Sequence, residues 1–259
     1  MIKNFLCLSF GLLLFLSCKE DKREGSKSEI TAEETAVTEE VPFVAVEVPP
    51  DSSQILVEKM DSVSFLKIKR TVQPKEQTVE KITDFKTVKN RLNHVVEFDD
   101  SERYGAAPAV KKINFRNGTS LDPQDDFYEA YFVAYFPTED ILLCEGGHSV
   151  DVSFNLQNGK RTEDAGNPDE MVSSPRNSVR LNSHYGGQEC STYFIEKKNQ
   201  AQFDKVVQLD EEFKRLTKHW LCTIGDAFWT DEKTLYVSET NNTDENGKPS
   251  NLYFKITLR

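Results

Sequence analysis

Two short stretches carry the side chains best suited to chemistry: Glu145-Gly-Gly-His-Ser-Val-Asp151 and Ser183-His-Tyr-Gly-Gly-Gln-Glu-Cys190. Each sets a histidine beside a glycine pair and a carboxylate. Imidazole and carboxylate together bind zinc or pass protons in acid–base catalysis. Were the two stretches neighbouring loops, His148, Asp151, His184 and Glu189 would converge on one metal, as in a metal-assisted hydrolase. The plainer reading takes the glycine pairs as bulges or tight turns and the histidines as hydrogen-bonded to loop backbone. We prefer it, because no fixed metal motif is present. Cys190 with His184 as base is a weaker nucleophilic pair. Nucleotide and hydrolase signatures (G-x-G-x-x-G, a P-loop, G-x-S-x-G) are absent, and no cofactor is implied.

Of the five cysteines, Cys7 and Cys18 fall in the first twenty residues, leaving Cys144, Cys190 and Cys222. Three cysteines leave at least one unpaired. Cys144 and Cys222 sit in apolar surroundings, where small buried thiols are common. If a disulfide forms, Cys190 with Cys222 is the expected pair. Without any C-x-x-C spacing, a zinc framework is not indicated. Aromatic side chains are a third resource. Phe127, Tyr128, Tyr131, Phe132, Tyr135 and Phe136 crowd into ten residues, and Tyr193, Phe194, Trp220, Phe228, Trp229 and Tyr236 follow. Exposed aromatics beside polar groups suit carbohydrate or protein recognition. Consecutive aromatics in a strand face both ways, so we expect a core role for most of them.

The elements that must position these residues are mostly strands. From about Lys111 the apolar period is two: Val150, Val152, Phe154 and Leu156 alternate with Asp151, Ser153 and Asn155, and Asn158-Gly159 supplies a turn. Leu252, Phe254, Ile256 and Leu258 alternate as strictly. Further strands are expected over 127–136, 141–144, 179–181, 192–196, 206–209 and 235–237. Upstream, Ile82, Phe85, Val88, Leu92 and Val95 recur at helical spacing and mark one short helix, while 63–68 has strand character. Many short strands with regular turns predict a mainly β protein. A faint repeat, beginning near Pro137, Pro175 and Trp229, resembles β-propeller blades, with Phe228 to Val237 as a strand pair. Three irregular units fall short of a closed propeller, so the all-β domain is expected to be propeller-like or a sandwich.

The first twenty residues address the chain. Lys3 precedes an uncharged, mostly apolar run from Phe5 to Leu16, about a dozen residues where a helical span needs roughly 20. That is the pattern of a secretory signal peptide. Phe15-Leu16-Ser17-Cys18 resembles a bacterial lipobox, with Ser17 the small residue before a lipidated Cys18. Phe15 and Leu16 depart from the usual pattern in the way of Bacteroidota lipoproteins. The resemblance implies an acylated, palmitate-bearing Cys18 that anchors the chain in the outer membrane. Lys19-Glu20-Asp21 is similar to the export signal that places such lipoproteins on the cell surface; the alternative is a periplasm-facing anchor. Asp61-Ser62-Val63 resembles a Bacteroidota O-glycosylation sequon, implying a glycan on Ser62.

Between Lys19 and Gln54 lie four basic and ten acidic residues, so this stretch carries −6 of the net −11. Such composition reads as a disordered tether, one spanning roughly 30 to 40 Å as a random coil. Val41 to Pro50 alternates like a strand, but its prolines favour an extended linker. The remainder is mildly acidic, which argues against nucleic-acid binding. The expected organisation is a signal peptide (1–17), anchor and tether (18–54), a mixed segment (55–104) and an all-β domain (105–259). These readings favour a lipid-anchored, non-enzymatic recognition or structural module of the envelope, with a protein or carbohydrate partner. The alternatives are the metal-assisted hydrolase and an accessory subunit of an outer-membrane assembly.

Overall fold

The computed structural model describes residues 53–72, 79–99, 107–122, 129–188, 190–200, 202–243, 247 and 249–259. The signal peptide, Cys18, the Lys19-Glu20-Asp21 signal, the tether as far as residue 52, Phe127, Tyr128 and Glu189 lie outside them. The chain begins with β1 (Ile55–Met60), α1 (Ser62–Thr71), α2 (Phe85–Arg91), β2 (Val96–Asp99), β3 (Ala109–Asn114) and β4 (Ser120–Leu121). It continues with β5 (Tyr131–Phe136), β6 (Ile141–Glu145), β7 (Asp151–Asn155), α3 (Thr162–Ala165), β8 (Val172–Ser173) and β9 (Val179–Tyr185). The last elements are β10 (Ser191–Asn199), β11 (Gln202–Gln208), α4 (Leu209–Thr217), β12 (Ile224–Trp229), β13 (Thr234–Thr243) and β14 (Pro249–Leu258).

These strands make three antiparallel sheets. An N-terminal sheet runs β2-β3-β5-β6-β7, with β4 beside β3; a middle sheet runs β11-β10-β9-β8; a C-terminal sheet runs β1-β14-β13-β12. The protein is mainly β, and among the described residues no sheet closes into a barrel. Phe228 to Val237 does form an antiparallel hairpin between β12 and β13. Where one short helix was expected, four α-helices occur among the described residues. The 55–104 segment contributes to two sheets: the whole of β1 pairs with Tyr253–Leu258 of β14, and β2 pairs with β3.

Residues 63–68, read as a strand, lie in α1. The Asp61 carboxylate caps its first turn by accepting the Ser64 amide at 2.9 Å, and Lys69 and Arg70 occupy the last turn. Both favour helix at their ends. Within the run only Phe65 is buried, against Phe228 and Tyr253. A single anchoring side chain suits a helix lying on a sheet better than a paired strand, which would bury alternate residues. The helix predicted downstream is α2, N-capped by Asp84 through the Thr87 amide at 2.8 Å and burying Val88 and Leu92. Sequence reading missed α4, although Leu209, Phe213 and Leu216 share helical spacing and its first turn carries Asp210, Glu211 and Glu212.

The middle sheet holds the molecule together because its two faces differ. Along β9, Val179 and Leu181 join Tyr193, Ile195 and Val207 in a core shared with Leu235, Val237, Phe254 and Ile256 of the C-terminal sheet. The intervening Arg180, Asn182 and His184 point the other way, as strand geometry requires. All three are nonetheless buried. A second apolar cluster backs the N-terminal sheet with α2, and a small third one joins Ala134, Phe136, Ile141 and Leu143 to Ala165 of α3.

Candidate functional site

Asp151 starts β7 and is tied to two other elements through one oxygen. Its Oδ2 accepts the Tyr185 amide at 2.8 Å and the Asn167 side-chain amide at 3.2 Å. Asn167 in turn caps the short 3-10 turn Pro168–Glu170, accepting the Asp169 amide at 3.1 Å. This brings Asp151 and Glu170 to the wall of one cavity of about 430 Å3. Ligand sites for small molecules have volumes of this order. Ser183 and Tyr185 line it from β9, Ser191 and Tyr193 from β10, and Thr223 and Ile224 from the chain entering β12.

The far wall is braced. Cys190 and Cys222 form a disulfide, joining the β9–β10 turn to the segment before β12. The Tyr193 hydroxyl accepts the Ile224 amide at 2.8 Å and reaches the Cys222 carbonyl at 3.4 Å. Burial raises the Tyr193 pKa, so the phenol keeps its proton and this bond. The Glu170 side chain stands at the rim and is exposed to solvent on one side. Crowding by protein, followed by the charges of Asp151 and Asp169, pushes its carboxyl above the usual glutamate range. Neither Asp151 nor Glu170 has a salt-bridge partner among the described residues. Asp151 Oδ1 likewise accepts no hydrogen bond from them.

A second crevice, of about 240 Å3, lies on the opposite face of the middle sheet, between Glu139, Lys160, Arg180 and Phe203. Its charges neutralise one another. Arg180 bonds Glu196 at 2.6 Å and Glu139 at 2.8 Å, Lys160 pairs with Asp204, and the guanidinium stacks 3.8 Å over the Phe203 ring. A set of pairs of this kind fastens two layers and leaves the charges of Arg180, Lys160, Glu139 and Glu196 already matched.

The four residues singled out for metal binding are scattered over different settings. His148 is exposed in the Gly147–Ser149 turn with a left-handed backbone (φ 62°). His184 is only 8% exposed, on the face of β9 opposite Ser183 and Tyr185. Burial lowers its pKa against the pull of Glu163 and Asp151, and its Nδ1 has no hydrogen-bond partner among the described residues. Asp151 lines the cavity, and Glu189 lies outside the described residues. Among those residues no group of three histidine, cysteine, aspartate or glutamate side chains could hold a metal ion. Cys190 is not available as a nucleophile, because it is oxidised to Cys222. Cys144 is a buried thiol whose pKa burial raises, the role its apolar neighbours foretold.

Of the glycine pairs, Gly146 is required by packing: a Cβ there would meet the Val150 and Val152 methyls at 2.8 and 2.9 Å. Ser62 is exposed at the start of α1. Sequence reasoning missed Glu170 and Asn167, which only the fold brings to Asp151. It also missed a dyad in which the buried Glu239 holds His219 at 2.5 Å and the Cys222 amide at 2.9 Å. Among the described residues no helix is long and apolar enough to cross a membrane. The chain matches no protein-family model, no curated protein and no solved structure.

Proposed function

We propose that this chain is a lipid-anchored protein of the cell envelope whose β domain is a non-enzymatic recognition module, with the cavity between Asp151 and Tyr193 as its ligand site. The cavity carries the reading. It has the size of a small-molecule site, polar groups and two tyrosines line it, and its carboxylates have no ion-pair partner among the described residues, unlike those of the crevice on the opposite face of the sheet. The envelope assignment rests on Lys3, the Phe5–Leu16 run and Cys18. The Cys190–Cys222 disulfide supports it, since such bonds persist in oxidising compartments. In this reading Cys18 bears the acyl chains, Lys19-Glu20-Asp21 directs the protein to the outer face of the outer membrane, and Ser62 is a glycan acceptor. A carbohydrate is the partner class best suited to hydroxyl-rich walls with aromatic rings.

Two measurements test the envelope half of this reading, and sugar binding at the cavity tests the other. Replacement of Cys18 by Ser is expected to abolish palmitate labelling and move the protein from the membrane to the soluble fraction. Retention in the membrane would refute the anchor. Mass spectrometry of the peptide holding Ser62 decides the glycan, and an unmodified mass removes that part of the proposal.

A further inference from the structure

The cavity is charged on one side only. Its lining contains Asp151 and Glu170 and no lysine, arginine or histidine. Elsewhere the layer contacts pair their carboxylates with cations: Glu139 and Glu196 with Arg180, Asp140 with Arg116, Asp164 with Lys205, and Asp169 with Lys81. Asp151 and Glu170 stand apart from this pattern. Asp151 is held by neutral amide donors through Oδ2, leaving Oδ1 free to accept. The Glu170 carboxylate has no hydrogen-bond or ion-pair partner among the described residues, and its neighbours Asp151 and Asp169 oppose its ionisation. Two carboxylates in a common recess gain from a cation between them, because opposite charge within reach favours the ionised form of each. The tyrosine rings of Tyr185 and Tyr193 add faces to which an ammonium group is attracted.

We infer that the cavity is selective for a small hydroxylated ammonium, the chemical class of amino sugars, with the cationic nitrogen between Asp151 and Glu170. The hydroxyls of the ligand meet Ser183, Ser191 and Thr223. A metal ion is a poorer fit, since no third carboxylate, histidine or cysteine joins the pair among the described residues. An anionic ligand is disfavoured by both charges. This inference rests on the cavity being the ligand site, as proposed above.

The test uses the mature chain in detergent and three probes: glucosamine, glucose, which matches it in size, and N-acetylglucosamine, in which the same nitrogen is neutral and which is larger by an acetyl group. Only the first carries a cationic amine near neutral pH. Amide shifts of Ser183 and Tyr193 report occupancy, and the Glu170 carboxyl-carbon shift reports its titration. Glucosamine is expected to bind at least about tenfold more tightly than the neutral sugars, the size of one charged hydrogen bond. It should also lower the Glu170 pKa and weaken with added salt. Glu170→Gln, at a side chain that supports no other element, should remove about the same factor. If the neutral sugars bind as well as glucosamine, or Glu170→Gln changes nothing, the charge selectivity is wrong while the cavity remains a site. If none of the three moves a cavity amide, the cavity reading falls with it.

Discussion

Arg180 Nε lies 2.6 Å from Glu196 Oε2, and both side chains are almost dry, 4% and 3% exposed. They face each other across the β9–β10 ladder, where Glu196 also receives the Asn182 amide at 3.0 Å. Removing one partner strands a buried charge, whereas replacing the pair by apolar side chains of similar volume is often neutral. Because Arg180 also pairs with Glu139 whereas Glu196 has no second cation among the described residues, Arg180→Ala is the change expected to destabilise the fold, by roughly 3 to 5 kcal/mol in urea unfolding. The double change Arg180→Met, Glu196→Leu should recover most of that loss. Equal damage from single and double changes would mean the pair itself stabilises the layer contact.

Glu232 makes the fold sensitive to acid. At 13% exposure it accepts the Ser174 hydroxyl at 2.6 Å, the Arg176 amide at 2.8 Å and the Ser178 hydroxyl. Burial alone would raise its pKa, but the two serine hydroxyls, the Arg176 amide and the Arg176 charge together bring it down to about 2. A folded pKa below the unfolded value of 4.5 means the native state binds the proton less readily. The stabilisation is complete above pH 4.5 and is lost as pH falls towards 2, with an upper limit of about 3 kcal/mol. Glu232→Gln should lower stability at pH 7 and flatten the acid limb of the stability curve. An unchanged acid limb would show that the cluster is not ionised as described.

The disulfide closes a loop with a sequence separation of 32 residues, for which chain entropy assigns roughly 3 to 4 kcal/mol. The variant Cys190→Ser, Cys222→Ser should show a lower melting temperature. It should also show altered shifts for Tyr193 and Ile224, whose bond depends on that wall. A lower melting temperature with an unchanged Tyr193 environment would separate the brace from the cavity.

Cys144 is the free cysteine among the described residues, and it is buried. Burial raises its pKa, so the reactive thiolate is scarce. A thiol reagent is expected to spare it in the native protein and modify it only after denaturation. Rapid native labelling would place it at the surface instead.

Much of the fold was legible because the apolar alternation of β7 and β14 and the helical spacing around Val88 answer to local rules. The strand reading of 63–68 failed because Val63, Leu66 and Ile68 look like core residues, yet Val63 and Leu66 are exposed and Phe65 alone docks. Half of the candidate site could be read. Asp151 was singled out as one of four metal ligands, which do not assemble among the described residues, Tyr193 was named among aromatics expected mainly in the core, and the Cys190–Cys222 pairing was the expected one. Glu170 and Asn167 could not be found, since only the turn at Pro168 carries them to Asp151. The polar face of β9 did leave a trace in the alternation of Val179, Leu181 and Ser183 with Arg180, Asn182 and His184, though its burial depends on the sheet opposite.

The most direct test of the account fills the cavity. Ser191→Trp places a large ring among its lining residues, and saturation-transfer NMR then compares wild type and variant against a panel of neutral, cationic and anionic sugars. The account predicts that wild type binds sugars from the panel and that the variant, with its melting temperature retained, loses them. Binding that survives the tryptophan, or a wild type that binds none of the panel, would contradict it.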